Sequence, residues 1–238
     1  VDIIPLGIAE KTAEQVMTQN FYVSQELCER IQKISKEQKI TISTYLEATW
    51  GILLQKYNRL DDVVFGKVVS GRNADIRNIN EIVGLFINTI PVRAKVNEET
   101  TIKELLDNMM YDSIESTSYI YNSLADIQEC TDLGKNLIKT LFVFENYYVD
   151  KEAYHNEIEA FDIKMESARE QTNYGISFKA SFTNDGFMNT QDNALELSIM
   201  YNPSLYCEKE INLLLQRFEK ILSYVLTEQD HRIQDIEL

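Results

Sequence analysis

Histidine side chains are the first candidates for acid–base chemistry, because imidazole titrates close to neutral pH. The chain of 238 residues has two, His155 and His231. His155 lies within the polar stretch 150–157, which is typical of a solvated surface loop, and a catalytic role is the alternative. The acidic pairs Asp61–Asp62 and Glu98–Glu99 are adjacent residues, as in solvated turns, and do not place two carboxylates across one face. None of these residues forms a recognisable catalytic constellation.

Sequence motifs for other chemistries are also missing. The chain contains no GxGxxG, P-loop, CxxC, HExxH or GxSxG string, so dinucleotide, nucleotide, zinc and serine-hydrolase functions have no support. Its three cysteines, Cys28, Cys130 and Cys207, are odd in number and far apart, without metal-type spacing. We therefore expect free thiols, a reducing cytoplasmic compartment and no metal site.

The overall charge excludes two further classes of partner. Asp and Glu number 38 against 23 Lys and Arg, a formal net charge of -15, which repels phosphate backbones and anionic lipid headgroups. No window approaches the run of roughly 18 apolar residues that a membrane-spanning helix needs. With 44% hydrophobic residues, 8 Gly and 3 Pro, the composition is that of a packed globular protein. We expect a soluble protein that binds neither nucleic acid nor membranes.

The elements that would position functional residues follow from hydrophobic periodicity. Helices are predicted over Ser24–Lys39 and Thr41–Tyr57, from Thr101 towards Ile114, and around Ile211–Val225. Strands are predicted over Val63–Val69, Phe86–Val96, Ile138–Val149, Tyr174–Phe182 and Leu195–Tyr201. Ser24, Ser43 and Thr101 are the predicted helix caps, and the last two strands are predicted to form an antiparallel hairpin. The pattern predicts one α/β domain, a two-layer sandwich of a mixed β-sheet with packed helices.

Two side chains stand out within these elements. Asn88 is the odd member of an otherwise apolar strand face, and an unpaired buried amide costs about 1–3 kcal/mol, so it must bond to backbone, water or a ligand. Trp50, the only tryptophan, shares a helical stripe with Leu46 and Leu53. This stripe favours core packing for Trp50, with a substrate contact as the alternative.

Two segments carry a family resemblance. Residues 61–72 (DDVVFGKVVSGR) and 82–93 (IVGLFINTIPVR) closely resemble motifs of the condensation domain of nonribosomal peptide synthetases. Shorter matches follow in the family's order at residues 123–128, 141–147 and 170–174. The resemblance therefore extends over nearly the whole chain.

The resemblance implies a chloramphenicol acetyltransferase-like fold with two α/β lobes and a substrate tunnel between them. Residues 1–238 resemble the C-terminal lobe only, with the N-terminal lobe absent from this chain. The family's catalytic signature, two histidines followed by three variable residues and Asp-Gly, does not occur here, since Asp185–Gly186 has no histidine pair before it. We therefore expect no catalytic residue in this chain.

Substrate-tunnel residues are carried over from the matching motifs. They are Ser70, Gly71, Arg72, Asn88 and Thr89, with the Ser70 hydroxyl expected near an acceptor amine. Two alternatives stay open: Gly71 only enables a turn while Arg72 pairs with a neighbouring acid, and Asn88 is either purely structural or structural and bordering the tunnel.

Other motif residues are expected to have structural roles. These residues are Gly84, Phe86, Pro91 and Arg93. Gly84 is expected to permit the turn into the strand, and Arg93 to anchor an acid or a helix end rather than touch substrate.

The function implied by the resemblance is amide-bond formation between aminoacyl or peptidyl thioesters held on carrier proteins. This chain would orient the substrates and be inactive alone. The alternatives are an epimerisation-type domain, disfavoured by the string Asn88–Arg93, and a noncatalytic carrier-protein docking module. No cofactor is expected to bind directly, and phosphopantetheine arms are part of the substrates. Expected partners are the N-terminal lobe, upstream and downstream peptidyl carrier proteins, and a second copy of the fragment.

Overall fold

The computed structural model describes residues 16–72, 76–145, 172–182 and 194–238. Six strands occur in these ranges: β1 (Met17–Tyr22), β2 (Asp62–Val69), β3 (Asn88–Lys95), β4 (Thr140–Glu145), β5 (Ile176–Phe182) and β6 (Leu195–Tyr201). The α-helices there are α1 (Gln25–Gln38), α2 (Ile42–Asn58), α3 (Ile102–Ser116), α4 (Leu124–Glu129) and α5 (Glu208–Thr227). Within these ranges, no helix is both long and apolar enough to cross a membrane.

The strands form one mixed sheet in the order β1-β6-β5-β4-β2-β3. The pairs β2–β4 and β4–β5 are parallel, and the remaining neighbours are antiparallel. The predicted mixed sheet and the predicted β5–β6 hairpin are therefore confirmed. Strand β3 lies at an edge, which is where a sheet tolerates Pro91, a residue without a backbone N–H.

Several predicted boundaries were wrong by a few residues. β3 begins at Asn88 and not at Phe86, because Phe86 packs against the loop after β2 instead of joining the ladder. β4 and β5 each begin two residues later than predicted, at Thr140 and Ile176. The predicted end of β4, at Val149, lies outside the described residues.

The helix caps also differ in part from the prediction. Thr101 and Glu104 form the expected capping box at the start of α3. Ser24 makes no side-chain cap bond. At α2 the cap is Thr41, whose Oγ1 accepts the Thr44 N–H at 3.1 Å. Ser43 is the second residue of α2, so its hydroxyl points along the helix and donates to the Glu47 carboxylate instead.

The core lies between the sheet and the helices α2 and α5. Trp50 is fully buried and stacks on Phe178 with ring centroids 4.9 Å apart, which confirms core packing. Phe178 also contacts Phe142 and Phe218, at 5.6 and 4.5 Å. The inward stripe predicted for the last helix is buried throughout, which confirms that α5 covers the sheet. This stack of aromatic rings ties the helices to the central strands.

One ion pair lies inside this layer. Lys67 on β2 places its Nζ 2.7 Å from Oε1 of Glu47 on α2, with side chains 17% and 2% exposed. Ser43 donates a second bond to the same carboxylate. Lys67 lies three residues before Ser70, so its ion pair with Glu47 fixes the end of β2 against α2.

Candidate functional site

The predicted tunnel residues gather at one end of the β2–β3 hairpin. Val69 is the Cα partner of Asn88, and Val68 is the partner of Thr89. Ser70 follows β2 directly, so it comes next to the start of β3. The antiparallel register thus brings together residues that are up to nineteen positions apart in the chain.

Gly71 allows the chain to close this end of the hairpin. Its φ is +68°, in the left-handed region that favours glycine. A Cβ at this position would lie 1.9 Å from the carbonyl oxygen of Phe86. The absence of a side chain at Gly71 therefore lets the backbone of Phe86 approach closely.

The Arg72 guanidinium holds the segment that leads into β3. Nη1 donates to the carbonyl oxygens of Ile79 and Ile82, the latter at 3.1 Å, and Nη2 donates to Gly84 at 3.3 Å. The guanidinium also lies 4.6 Å from the centroid of the Phe86 ring. Among the described residues, which do not include Asp75, the bonding partners of the Arg72 guanidinium are backbone carbonyls and not an acid.

Both polar atoms of the Asn88 side-chain amide form hydrogen bonds with backbone groups of the protein. Nδ2 donates to the carbonyl oxygens of Ile120 and Asn122, both at 2.7 Å, and Oδ1 accepts the N–H of Thr89 at 2.8 Å. These bonds account for the polar group on an apolar strand face. They also attach the segment after α3 to the start of β3.

Asn88→Asp is expected to lower the free energy of unfolding by about 1–3 kcal/mol at neutral pH, because a carboxylate has no donor for the two carbonyls and repels them. Urea unfolding measures the change. Asn97→Asp is the matched control, since Asn97 accepts a bond from the Glu99 N–H, a role that a carboxylate keeps. Equal effects of the two substitutions would contradict the assigned bonds.

The opposite end of the hairpin is fixed by an ion pair. Arg93 bonds to both carboxylate oxygens of Asp62, with Nε at 2.8 Å from Oδ1. These bonds hold the pKa of Asp62 below its ordinary value and raise the pKa of Arg93. Arg93 thus pairs with an acid, which is one of the two partners expected for it.

Exposed groups surround the predicted tunnel residues. Ser70 is exposed; its Oγ accepts the Arg72 N–H at 3.3 Å, and among the described residues its proton has no acceptor. We call residues 82–87 the apolar loop, because Val83 and Leu85 are 100% and 87% exposed and Ile82 and Ile87 are also exposed. Exposed apolar side chains that lie together are typical of an interaction surface.

No acid–base or metal centre appears in the described ranges. His155 lies outside them. His231 is exposed, with Nε2 3.6 Å from a carboxylate oxygen of Glu228. No group of three or more His, Cys, Asp or Glu in these ranges could hold a metal ion. The described residues at the hairpin end present the Ser70 hydroxyl, the Arg72 guanidinium, the Asn88 amide, backbone groups and apolar side chains.

Sequence reasoning missed two sets of contacts. The carbonyls of Ile120 and Asn122 left no signal, because every residue carries a carbonyl. The Glu47–Lys67 pair did leave one, since Lys67 interrupts the apolar run Val63–Val69 and therefore needs a partner if buried.

Comparisons with known proteins identify the family of the chain. The family model described as "Condensation domain" matches residues 6–238. The chain is 36% identical over 216 residues to bacitracin synthase 3 of Bacillus licheniformis, which covers 90% of the chain and 3% of that protein. It is 39% identical over 179 residues to surfactin synthase subunit 2 of Bacillus subtilis, covering 74% of the chain and 5% of that protein. The chain thus spans a small part of these relatives' length.

Solved structures show the same fold. The chain superposes on a four-domain nonribosomal peptide synthetase bound to AMP and glycine with a TM-score of 0.78 and 16% identity, covering 100% of this chain and 19% of that one. On the first condensation domain of the CDA synthetase the TM-score is 0.71 at 15% identity, covering 95% and 49%. These neighbours have the chloramphenicol acetyltransferase-like fold expected from the sequence. With a family match from residue 6 to residue 238, the chain belongs to the condensation domain family of nonribosomal peptide synthetases.

Proposed function

We propose that this chain is the substrate-orienting C-terminal half of a condensation domain that forms amide bonds between carrier-bound aminoacyl or peptidyl thioesters. One observation carries the proposal: the condensation family model matches residues 6–238, while the chain covers only about half of solved condensation domains, 49% in one case. The reacting groups would meet between this half and an N-terminal half.

The reaction needs orientation as well as proton transfer. The acceptor amine attacks the donor thioester carbonyl, the C–N bond forms, the C–S bond breaks, and the amine proton ultimately leaves with the thiol. Holding two tethered reactants in line supplies a large part of such a rate enhancement. The exposed Ser70 hydroxyl is the group at the hairpin end that would bond to the acceptor amine, and Asn88 and Thr89 fix the strand beside it.

Partners follow from the same surface. The apolar loop would be covered by the N-terminal half, since Val83 and Leu85 are otherwise left in water. Upstream and downstream carrier proteins would deliver the substrates on phosphopantetheine arms. In the isolated chain the same loop would favour association of two copies.

The chain alone is expected to form no amide product, because the family's paired-histidine signature is absent from its sequence. Carrier-bound aminoacyl donor and acceptor are mixed with the chain, and the dipeptidyl thioester is measured by mass spectrometry against a reaction without protein. Turnover above that background would contradict the expectation.

A second experiment expresses the chain together with an N-terminal half cloned from the coding region upstream of it. Amide product from the two halves together, and from neither alone, supports the proposed function. Carrier-protein binding without product, with an intact histidine signature in the added half, would instead favour the docking module.

A further inference from the structure

Arg72 joins the two ends of the loop between β2 and β3. It lies three residues after β2 ends, and its guanidinium bonds to three carbonyls of the segment 79–84 that leads towards β3. A guanidinium has a rigid planar set of donors, which suits several carbonyl oxygens at once. One side chain therefore fixes the exit from one strand relative to the entry into the next.

Besides the bonds of Arg72, the side chain of Ile79, which is 6% exposed, anchors the described part of this segment by packing. Val83 and Leu85 are almost wholly exposed, so they add no packing within the described residues. The backbone bonds inside the loop are local, from the Ile79 N–H to Ile76 and from the Glu81 N–H to Asn78. Among the described residues, the bonds of Arg72 and its stacking on Phe86 link this segment to the end of β2.

The position of the Ser70 hydroxyl also depends on Arg72. Ser70 Oγ accepts a hydrogen bond from the backbone N–H of Arg72. The hydroxyl is therefore oriented by the same residue whose guanidinium binds the carbonyls of segment 79–84. A shift of Arg72 would move both the Ser70 hydroxyl and the segment preceding Asn88.

We propose that Arg72 is a positioning residue, which acts on the reaction by holding residues 79–86 and the Ser70 hydroxyl in place and not by touching substrate. This inference rests on the proposed function. It assigns to Arg72 a role different from the direct substrate contact that the family resemblance implies.

The first test measures the loop itself in the isolated chain. In Arg72→Ala, amide hydrogen exchange at Ile79 and Glu81 is expected to become about tenfold faster, because the loop opens without its anchor. Arg93→Ala is the matched control, since it removes an exposed arginine at the other end of the hairpin. Free guanidinium, far below denaturing concentration, is expected to slow exchange again in Arg72→Ala, whereas Arg72→Lys restores little, because an ammonium lacks the planar fork.

The second test uses the two halves together in the amide-forming assay. Arg72→Ala is expected to lower kcat by about 10- to 100-fold with a smaller change in the KM of the acceptor, because orientation is lost while the binding surface remains. Added guanidinium is expected to raise kcat in the variant, which a general loss of stability would not do.

Unchanged exchange at Ile79 and Glu81 overturns the proposal. So does faster exchange with unchanged kcat, or a loss of activity confined to KM, which would indicate direct binding of substrate by Arg72. If the unsubstituted halves form no amide, the proposed function fails, and the inference that Arg72 acts on the reaction is overturned with it; the exchange result then identifies Arg72 as an anchor of the loop alone.

Discussion

Lys67→Met is expected to lower the free energy of unfolding by about 3–5 kcal/mol, because it leaves a buried carboxylate without its cation. Glu47 is 2% exposed and its Oε1 lies 2.7 Å from Lys67 Nζ. After the substitution, the Ser43 hydroxyl is the remaining partner of that carboxylate among the described residues, and one neutral donor cannot replace a charge. The midpoint of urea unfolding, with the slope held constant, measures the loss.

Two further variants separate this explanation from a simple packing defect. The double variant Glu47→Leu with Lys67→Met is expected to recover stability to within about 1 kcal/mol of the unsubstituted chain, because an apolar pair needs no charge compensation. Lys33→Met, which breaks the exposed pair with Glu37, is expected to cost at most about 1 kcal/mol. A double variant as unstable as Lys67→Met would refute the role of the charge.

Gly71→Ala is expected to lower the free energy of unfolding by about 2–4 kcal/mol, because the new Cβ adds both strain and a clash. The φ of +68° is unfavourable for alanine. The atom in the way is the carbonyl oxygen of Phe86, 1.9 Å from the position of the Cβ, and backbone cannot rotate aside as a side chain does. Thermal and urea unfolding give the stability, and exchange at Glu81 shows whether the loop has opened.

Gly84→Ala is the control for stability within the same loop. Among the described residues, a Cβ at Gly84 would meet the Phe86 ring at 3.5 Å, which is an ordinary contact. The expected change is within about 0.5 kcal/mol. Similar losses at the two glycines would show that neither position tolerates a Cβ, and would contradict the special role of Gly71.

Periodicity was sufficient to predict most of the fold. The alternation of Leu195, Leu197, Ile199 and Tyr201 follows from one strand face lying on the core, and the structure buries all four. Helix ends were less accessible to sequence reasoning. Thr41 and Ser43 are both residue types that favour the N-cap position. Which of them caps α2 depends on a shift of the helix start by less than one turn, which the sequence does not determine.

The clustering of the candidate site residues was predictable from the sequence, but the contacts of their side chains were not. The motif resemblance selected residues that the β2–β3 register does bring together. The partners of Arg72 and Asn88 could not be predicted, because both side chains bond to backbone carbonyls whose placement depends on the whole fold. Arg93 was predictable because its partner, Asp62, is a charged side chain.

The pairing of β1 with β6 has a consequence for folding during synthesis. Met17 lies opposite Tyr201, so β1 can pair only after β6 has been translated, about 180 residues later. Contacts so distant in sequence form slowly, because a long loop must close first. Until β6 leaves the ribosome, β1 lacks its neighbour among the described strands, and its unpaired N–H and C=O groups are open to other nascent chains.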